Sequence, residues 1–167
     1  MSQGLEALRV LLVDDNQHMR AIVATILKSA GITDLREAAN GTQALLMLKQ
    51  WPVDVAFIDY QMSPMDGLEL TRKLRDQGSS PCPYLPIIMM TGYAERPRVV
   101  EARDAGVTEF LVKPITAKAV LDRLNVALFK PRPFVQSENY FGPTRRRSTP
   151  DGETPQRRAE DRKAESA

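Results

Sequence analysis

One cysteine, Cys82, is all the chain of 167 residues contains, so no intrachain disulfide and no cysteine-built zinc cluster can form. A lone loop thiol reads as incidental, and its isolation fits a reducing compartment. Long apolar runs are missing too. The N-terminal "MSQGLEALRVLLVDD" has no basic segment before its apolar stretch, and that stretch is too short for a signal-peptide core or a membrane span. A soluble, cytoplasmic protein with no membrane partner is the expectation. A decisive net charge is lacking as well: +2 overall says little until the chain is divided at Phe129. Residues 1–129 carry 14 basic and 15 acidic groups, whereas residues 130–167 carry 9 and 6, together with five of the twelve prolines and few aliphatic side chains. The last 38 residues have the composition of a segment that builds no core of its own.

What is present is 43% hydrophobic residues, enough for one ordinary core, arranged as short apolar runs alternating with amphipathic stretches. Strand patterns fall at 8–13, 35–38 (the weakest), 53–58, 85–90 and 108–112. Met19, Ile22, Val23, Ile26 and Leu27 share one helical face, as do Val120, Leu121, Leu124 and Leu128. Further helices are predicted at 41–50, 66–77 and 97–105, with Gly31, Gly78 and Gly106 where helices should stop. Five strand-then-helix units predict an α/β fold: a doubly wound, five-stranded parallel sheet with helices on both faces, since parallel neighbours need crossovers. In such sheets the working crevice lies at the carboxyl ends of the strands.

Every well-formed strand ends in chemistry there. The first runs into adjacent carboxylates, Asp14 and Asp15; the third ends in Asp59, the fourth in Thr91, the fifth in Lys113 followed by Pro114. Paired acids repel, and burying them uncompensated is costly, so a strand ending this way must expose the pair or supply a positive group. A hard divalent cation such as Mg2+, held by oxygen ligands, would neutralise the cluster and leave one carboxylate free as a nucleophile. Taken singly, an aspartate after a strand reads as a turn or cap residue, Asn16 could cap the first helix, and a lone threonine or lysine there is solvated. Their joint occurrence at successive strand ends favours a site.

The segments "LLVDDNQHMR", "DVAFIDYQMSPMDGLEL", "PIIMMTGY" and "EFLVKPI", in this order across residues 8–129, resemble the signature segments of the receiver domain of bacterial two-component response regulators, here of the stand-alone type. The resemblance implies a flavodoxin-like (βα)5 fold in which Asp59 is the phosphoacceptor. It implies that Asp15 and Asp59 ligate Mg2+ with the backbone carbonyl of Gln61, that Asp14 acts largely through water, and that Lys113 contacts Asp59 and the phosphoryl group. Thr91 would bind a phosphoryl oxygen after reaction, and Phe110 would be an aromatic switch turning inward behind it. The Lys113-Pro114 bond is expected to be cis. The phosphoryl group would come from a histidine kinase or histidine phosphotransfer protein. The protein would then be no conventional enzyme, although it would promote its own magnesium-dependent phosphorylation and dephosphorylation. That chemistry requires charge neutralisation and in-line positioning more than a general base, and Asp59 is already ionised. Phe110 replaces the tyrosine often found at the switch position. Tyr93 and Gln61 would flank the attacking water and set the lifetime of the phosphorylated state. The single histidine, His18, reads as a polar position on an exposed helix face rather than an internal phosphodonor.

Residues 130–167 are expected to form a mostly irregular tail, disordered beyond Pro150, appended to a receiver at 1–129. Pro131 and Pro133 should stop the last helix, and Phe134, Val135, Tyr140 and Phe141 are its only anchors before Arg145, Arg146 and Arg147. Signalling by protein–protein contact is the favoured output. The docking face would comprise the helix at 97–105, the fifth strand and the helix after it, with the tail packing there or on a partner. The alternative, receiver-controlled nucleic-acid binding through the tail, is disfavoured by six acids interspersed among its bases, and no nucleic-acid partner is expected. A phosphatase acting on outside substrates lacks any substrate-binding insertion.

Overall fold

A computed structural model describes residues 3–92 and 96–145. Its strands β1 (Arg9–Val13), β2 (Asp34–Ala38), β3 (Val55–Asp59), β4 (Ile87–Thr91) and β5 (Glu109–Val112) form one parallel sheet in the order β2-β1-β3-β4-β5. Period-2 alternation divides each central strand between two cores. Val10, Leu12, Phe57, Ile88, Met90 and Leu111 meet Val23 and Leu27 of α2 (Gln17–Ser29) and Val120 and Leu124 of α6 (Ala117–Phe129). Leu11, Val13, Ala56, Ile58, Ile87 and Met89 face the other way, onto α3 (Gly41–Gln50), α4 (Gly67–Arg75) and α5 (Arg96–Ala105). Burial on both faces explains why these strands read as unbroken apolar runs.

The helices start where small polar residues accept otherwise orphaned amides: Asn16 caps α2, Asn40 caps α3, Asp66 caps α4 and Thr116 caps α6. Gly31 and Gly106 follow α2 and α5 at φ of 104° and 103°, the left-handed conformation a helix C-terminus favours. Gly78 does not terminate its helix. There α4 stops earlier, at Arg75, because Asp76 turns extended and its carboxylate accepts the Gly78 amide at 3.0 Å.

Strand order reverses between β1 and β3, which run side by side with Val13 opposite Ile58. The ends of these two strands, and so Asp14 and Asp59, fall at the switch point where such sheets form their crevice.

Two elements lie outside the (βα)5 pattern. A four-residue helix, α1 (Gln3–Glu6), precedes β1. The stretch after α6, expected to be irregular, contains an antiparallel hairpin of β6 (Phe134–Ser137) and β7 (Tyr140–Pro143), with Val135 opposite Gly142. The hairpin packs on the receiver, as expected, but touches only the end of α5 and not the length of the α5, β5 and α6 face. It sits where β4 and β5 begin, against Tyr84 before β4 and Gly106 after α5. The reason is directional: α6 runs back against β5 and delivers the chain to the end of the sheet opposite the carboxylates. Residues 146–167, including the expected disorder beyond Pro150, lie outside the described residues.

Candidate phosphoacceptor and metal site

The loop that follows β1 is fixed by main-chain and side-chain bonds together. Asp14 N–H donates to the Ala38 carbonyl at 3.2 Å, and Asp14 Oδ1 accepts the Asn16 amide at 2.9 Å. Asn16 Oδ1 then caps α2 by accepting from the His18 and Met19 amides at 3.0 and 3.2 Å. Arg20, one turn into α2, donates to the Asp14 carbonyl and pairs with Glu37 near the end of β2 at 3.2 Å. Asp14 is thereby held inside the molecule, 1% exposed, while Asp15 projects to solvent.

Asp59 ends β3 and is 3% exposed. Lys113 Nζ donates to its Oδ1 at 2.8 Å, across from the end of β5. Oxygens of Asp14, Asp15 and Asp59 all lie within 4.8 Å of one another. Crowding and burial act together here. Burial pushes the Asp14 carboxyl up to about 6 from an ordinary 3.8, with the Asn16 amide opposing and the Asp59 charge adding to the rise. Asp59 is raised as well, chiefly by burial, and Lys113 pulls it back through its hydrogen bond and its charge.

Whether a cation fits can be judged from Asp14 itself. Its Oδ2 is buried without a hydrogen-bond partner among the described residues, although buried carboxylate oxygens are ordinarily satisfied. A buried acceptor facing two more carboxylates, with oxygen as the only donor type, suits a hard divalent ion. Gln61 lies on the exposed turn two residues past Asp59, where its main chain is close to this cluster in sequence.

Thr91 ends β4 and is buried, and its carbonyl accepts the Lys113 amide at 2.8 Å, tying the last two strand ends together. Phe110 is half-buried on β5. Between them runs a seam lined by Tyr60, Met89, Val99 and Ala102 that leaves no space for a water molecule. Lys113-Pro114 is cis, as expected, and Ser63-Pro64, in the loop after β3, is cis as well. His18 is exposed at the start of α2. Tyr93 lies outside the described residues. Five of the residues singled out in the sequence thus converge on one rim: Asp14, Asp15, Asp59, Thr91 and Lys113.

Gly67 belongs to the site although sequence reasoning passed over it. It begins α4, its amide donates to the Tyr60 carbonyl at 2.9 Å, and a Cβ there would come within 2.3 Å of the Asp59 carbonyl oxygen. Only glycine lets α4 approach the end of β3 so closely. The signal was the glycine eight residues after Asp59, in "DYQMSPMDG". Arg20 and Glu37 were also missed, because neither is adjacent to the aspartates in any strand-end pattern.

A family model described as "Response regulator receiver domain" matches residues 10–125. Chemotaxis protein CheY-3 of Vibrio cholerae serotype O1 is 36% identical over 118 residues, spanning 71% of this chain and 89% of that protein. Chemotaxis protein CheY of Pseudomonas aeruginosa is 36% identical over 117 residues, spanning 70% and 93%. Among solved structures, Vibrio cholerae chemotaxis protein CheY4, crystallised at pH 4.0, aligns with a TM-score of 0.67 at 31% identity, covering 72% of this chain and 98% of its own.

Proposed function

The chain belongs to the response regulator receiver domain family, and from that premise we propose that Asp59 takes a phosphoryl group from a phosphohistidine of a histidine kinase or phosphotransfer protein. The observation that carries this reading is the buried Asp59 carboxylate, with one oxygen held by Lys113 and two more carboxylates within 4.8 Å. In the transfer, the free Asp59 oxygen attacks phosphorus, the phosphorus–nitrogen bond breaks, and its electron pair stays on the departing imidazole. An acyl phosphate results. Lys113 holds the acceptor and offsets charge on the phosphoryl oxygens. No general base takes part, because the attacking oxygen carries no proton.

Asp14, Asp15, Asp59 and the Gln61 carbonyl would hold Mg2+, which when bound neutralises the acid cluster and the incoming phosphoryl charge. Thr91 and Phe110 are the switch pair in this reading: Thr91 turns to a phosphoryl oxygen and Phe110 follows into the space it leaves. That Thr91 and Phe110 line the same narrow seam supports it, since a change in one side chain alters the packing around the other.

Signals of this kind pass by protein contact, and the docking face we propose is that of α5, β5 and α6, where Val100 and Val112 are 36% and 44% exposed. The receiver proper is assigned to 1–129 and an appendage to 130–167, with the protein acting in the cytoplasm. Among the described residues no helix is long and apolar enough to cross a membrane. Arg145, the first of the arginine triplet, is paired with Asp104 at 3.3 Å, which favours protein contact over nucleic-acid binding for this part of the tail.

The test is labelling with a phosphohistidine donor or acetyl phosphate in the presence of Mg2+. Wild type should acquire an acid-stable, base-labile label that chelation prevents, and Asp59→Asn should acquire none. A label of the same lability in the variant would place the acceptor elsewhere.

A further inference from the structure

The hairpin grips the receiver at a small number of points, all on the segments that end α4 and α5 or begin β4 and β5. Arg132 donates to the main-chain carbonyl of Thr108 and to that of Thr144, the latter at 2.8 Å. Arg145 pairs with Asp104 in the last turn of α5 and covers the Tyr140 ring at 4.4 Å. Phe134, Phe141 and Tyr84 form a three-ring cluster with centroids 5.0–5.5 Å apart. Gly142 passes Gly106 so closely that a Cβ on it would lie 3.1 Å from the Gly106 Cα.

Thr108 is the residue on which these contacts bear. Its amide donates to the Ile87 carbonyl, and its hydroxyl accepts the Ile87 amide, both at 2.9 Å. Arg75, itself 4% exposed and stacked beneath Phe134, reaches the same hydroxyl at 3.5 Å and donates to the Gly106 and Pro83 carbonyls. Thr108 stands immediately before β5 and two residues before Phe110. By holding its carbonyl, Arg132 fixes the origin of the strand that carries the aromatic side chain.

The guanidiniums under and within the hairpin are incompletely compensated. Among the described residues, Arg75 and Arg132 hydrogen-bond to carbonyls and one hydroxyl, never to a carboxylate, and Arg103 Nε and Arg132 Nε are buried without a partner. Burial weakens the hold of both guanidiniums on their protons, Arg75 down to about 10, and the charge of Arg103 weighs further against Arg132. Ring packing and the hydrogen bonds of Arg132 hold the hairpin down, and the desolvation of the two guanidiniums offsets part of that gain. An attachment balanced in this way yields to a small shift of the surface beneath it.

We propose that the hairpin is a brace on the α5–β5 unit, holding it as seen here and loosening when modification of Asp59 moves Phe110. The inference rests on the roles given above to Asp59 and Phe110. Linkage makes it reciprocal: whatever factor the modified state loosens the hairpin by, loosening the hairpin must favour the modified state by the same factor.

The experiment uses the full chain with Mg2+, with and without beryllofluoride, a phosphoryl mimic that attaches to an ionised carboxylate. Hydrogen exchange is read at residues 134–143. Exchange there should quicken about fivefold on beryllofluoride, a factor in the ordinary range of coupling between two sites. Arg145→Ala, which removes the ion pair with Asp104 and the cover over the Tyr140 ring, should lower the half-saturating beryllofluoride concentration, and Arg132→Ala should lower it further if it folds. The brace is overturned if hairpin exchange is unchanged while the peptide containing Phe110 responds, or if Arg145→Ala saturates as wild type does. No response anywhere in wild type, matching Asp59→Asn, would overturn the reading of Asp59 and the brace with it.

Discussion

At Asp14 the chemistry of the site and the stability of the fold pull in opposite directions. Its carboxyl is held up at about 6 against an ordinary 3.8, so the folded protein binds that proton more tightly than the unfolded chain does. The resulting stabilisation is complete below the unfolded value and is lost as pH rises through the folded one, and the upward shift of Asp59 acts in the same sense. Metal-free protein should therefore lose thermal stability between about pH 4 and pH 7. Asp14→Asn should gain on the order of 1–2 kcal/mol at neutral pH and flatten that slope, less than full burial would give because water reaches the rim. Mg2+ should stabilise wild type more than the variant. Denaturation midpoints across pH, with and without Mg2+, decide this; a variant no more stable than wild type without metal would remove the crowded-carboxylate account. Asp15, being exposed, should show a smaller effect of the same sign. Gly67 tests the other constraint on the acceptor. Gly67→Ala drives a Cβ against the Asp59 carbonyl, with main chain on both sides of the clash, so a loss of about 2–3 kcal/mol and slower labelling of Asp59 are expected from overpacking. Wild-type stability in that variant would mean that α4 can retreat.

For the elements, legibility followed burial. Strands β1, β3 and β4, with every side chain buried except Arg9, announce themselves as apolar runs, and the rule that crevices form at strand ends then picks out Asp14, Asp59 and Thr91. Edge strand β2, whose middle residues Arg36 and Glu37 are exposed, barely shows. The hairpin's anchors Phe134, Tyr140 and Phe141 stand out as apolar residues in a polar tail, but its strands do not. Its strands have four residues each, Val135, Gln136 and Ser137 are exposed, and the Glu138-Asn139 turn lacks the Asn-Gly or Asp-Gly pair that marks tight hairpins. What forms it is tertiary: Tyr84 from another part of the chain and the covered guanidinium of Arg75. Neither partner is local, so no window of sequence contains the cause. It follows that the hairpin should be sensitive to residues on the receiver side. Phe134→Ala should cost about 2 kcal/mol through lost ring contacts and exposure of Arg75, and Tyr84→Ala should cost part of the same energy, the double variant falling short of the sum. Full additivity in a double-mutant cycle would show that the three rings do not act as a unit.

Over the whole molecule, the sheet separates two kinds of surface by its full length. Carboxylates, Lys113 and Thr91 stand at the carboxyl ends of the strands; the hairpin, Arg75 and Arg132 stand where β4 and β5 begin. An appendage at that end leaves the crevice open to a phosphohistidine donor, and it also leaves clear the exposed Val100 and Val112 on the proposed docking face. The separation fixes what a chain ending at Phe129 should do. Such a chain uncovers Tyr84, Arg75 and the Thr108 carbonyl but keeps every residue of the site, so its melting temperature should fall while magnesium-dependent labelling of Asp59 persists. Hydration of the freed guanidiniums offsets part of what the lost ring packing removes, so the loss of unfolding free energy should amount to about 1–3 kcal/mol, not to collapse of the fold. Measuring both properties on one preparation separates the cases. If labelling is lost in a truncated chain that still unfolds cooperatively, the two ends of the sheet are coupled more rigidly than a releasable brace allows. If the melting temperature does not move, the hairpin contributes nothing to the receiver and its contacts with Thr108 and Asp104 carry no energy.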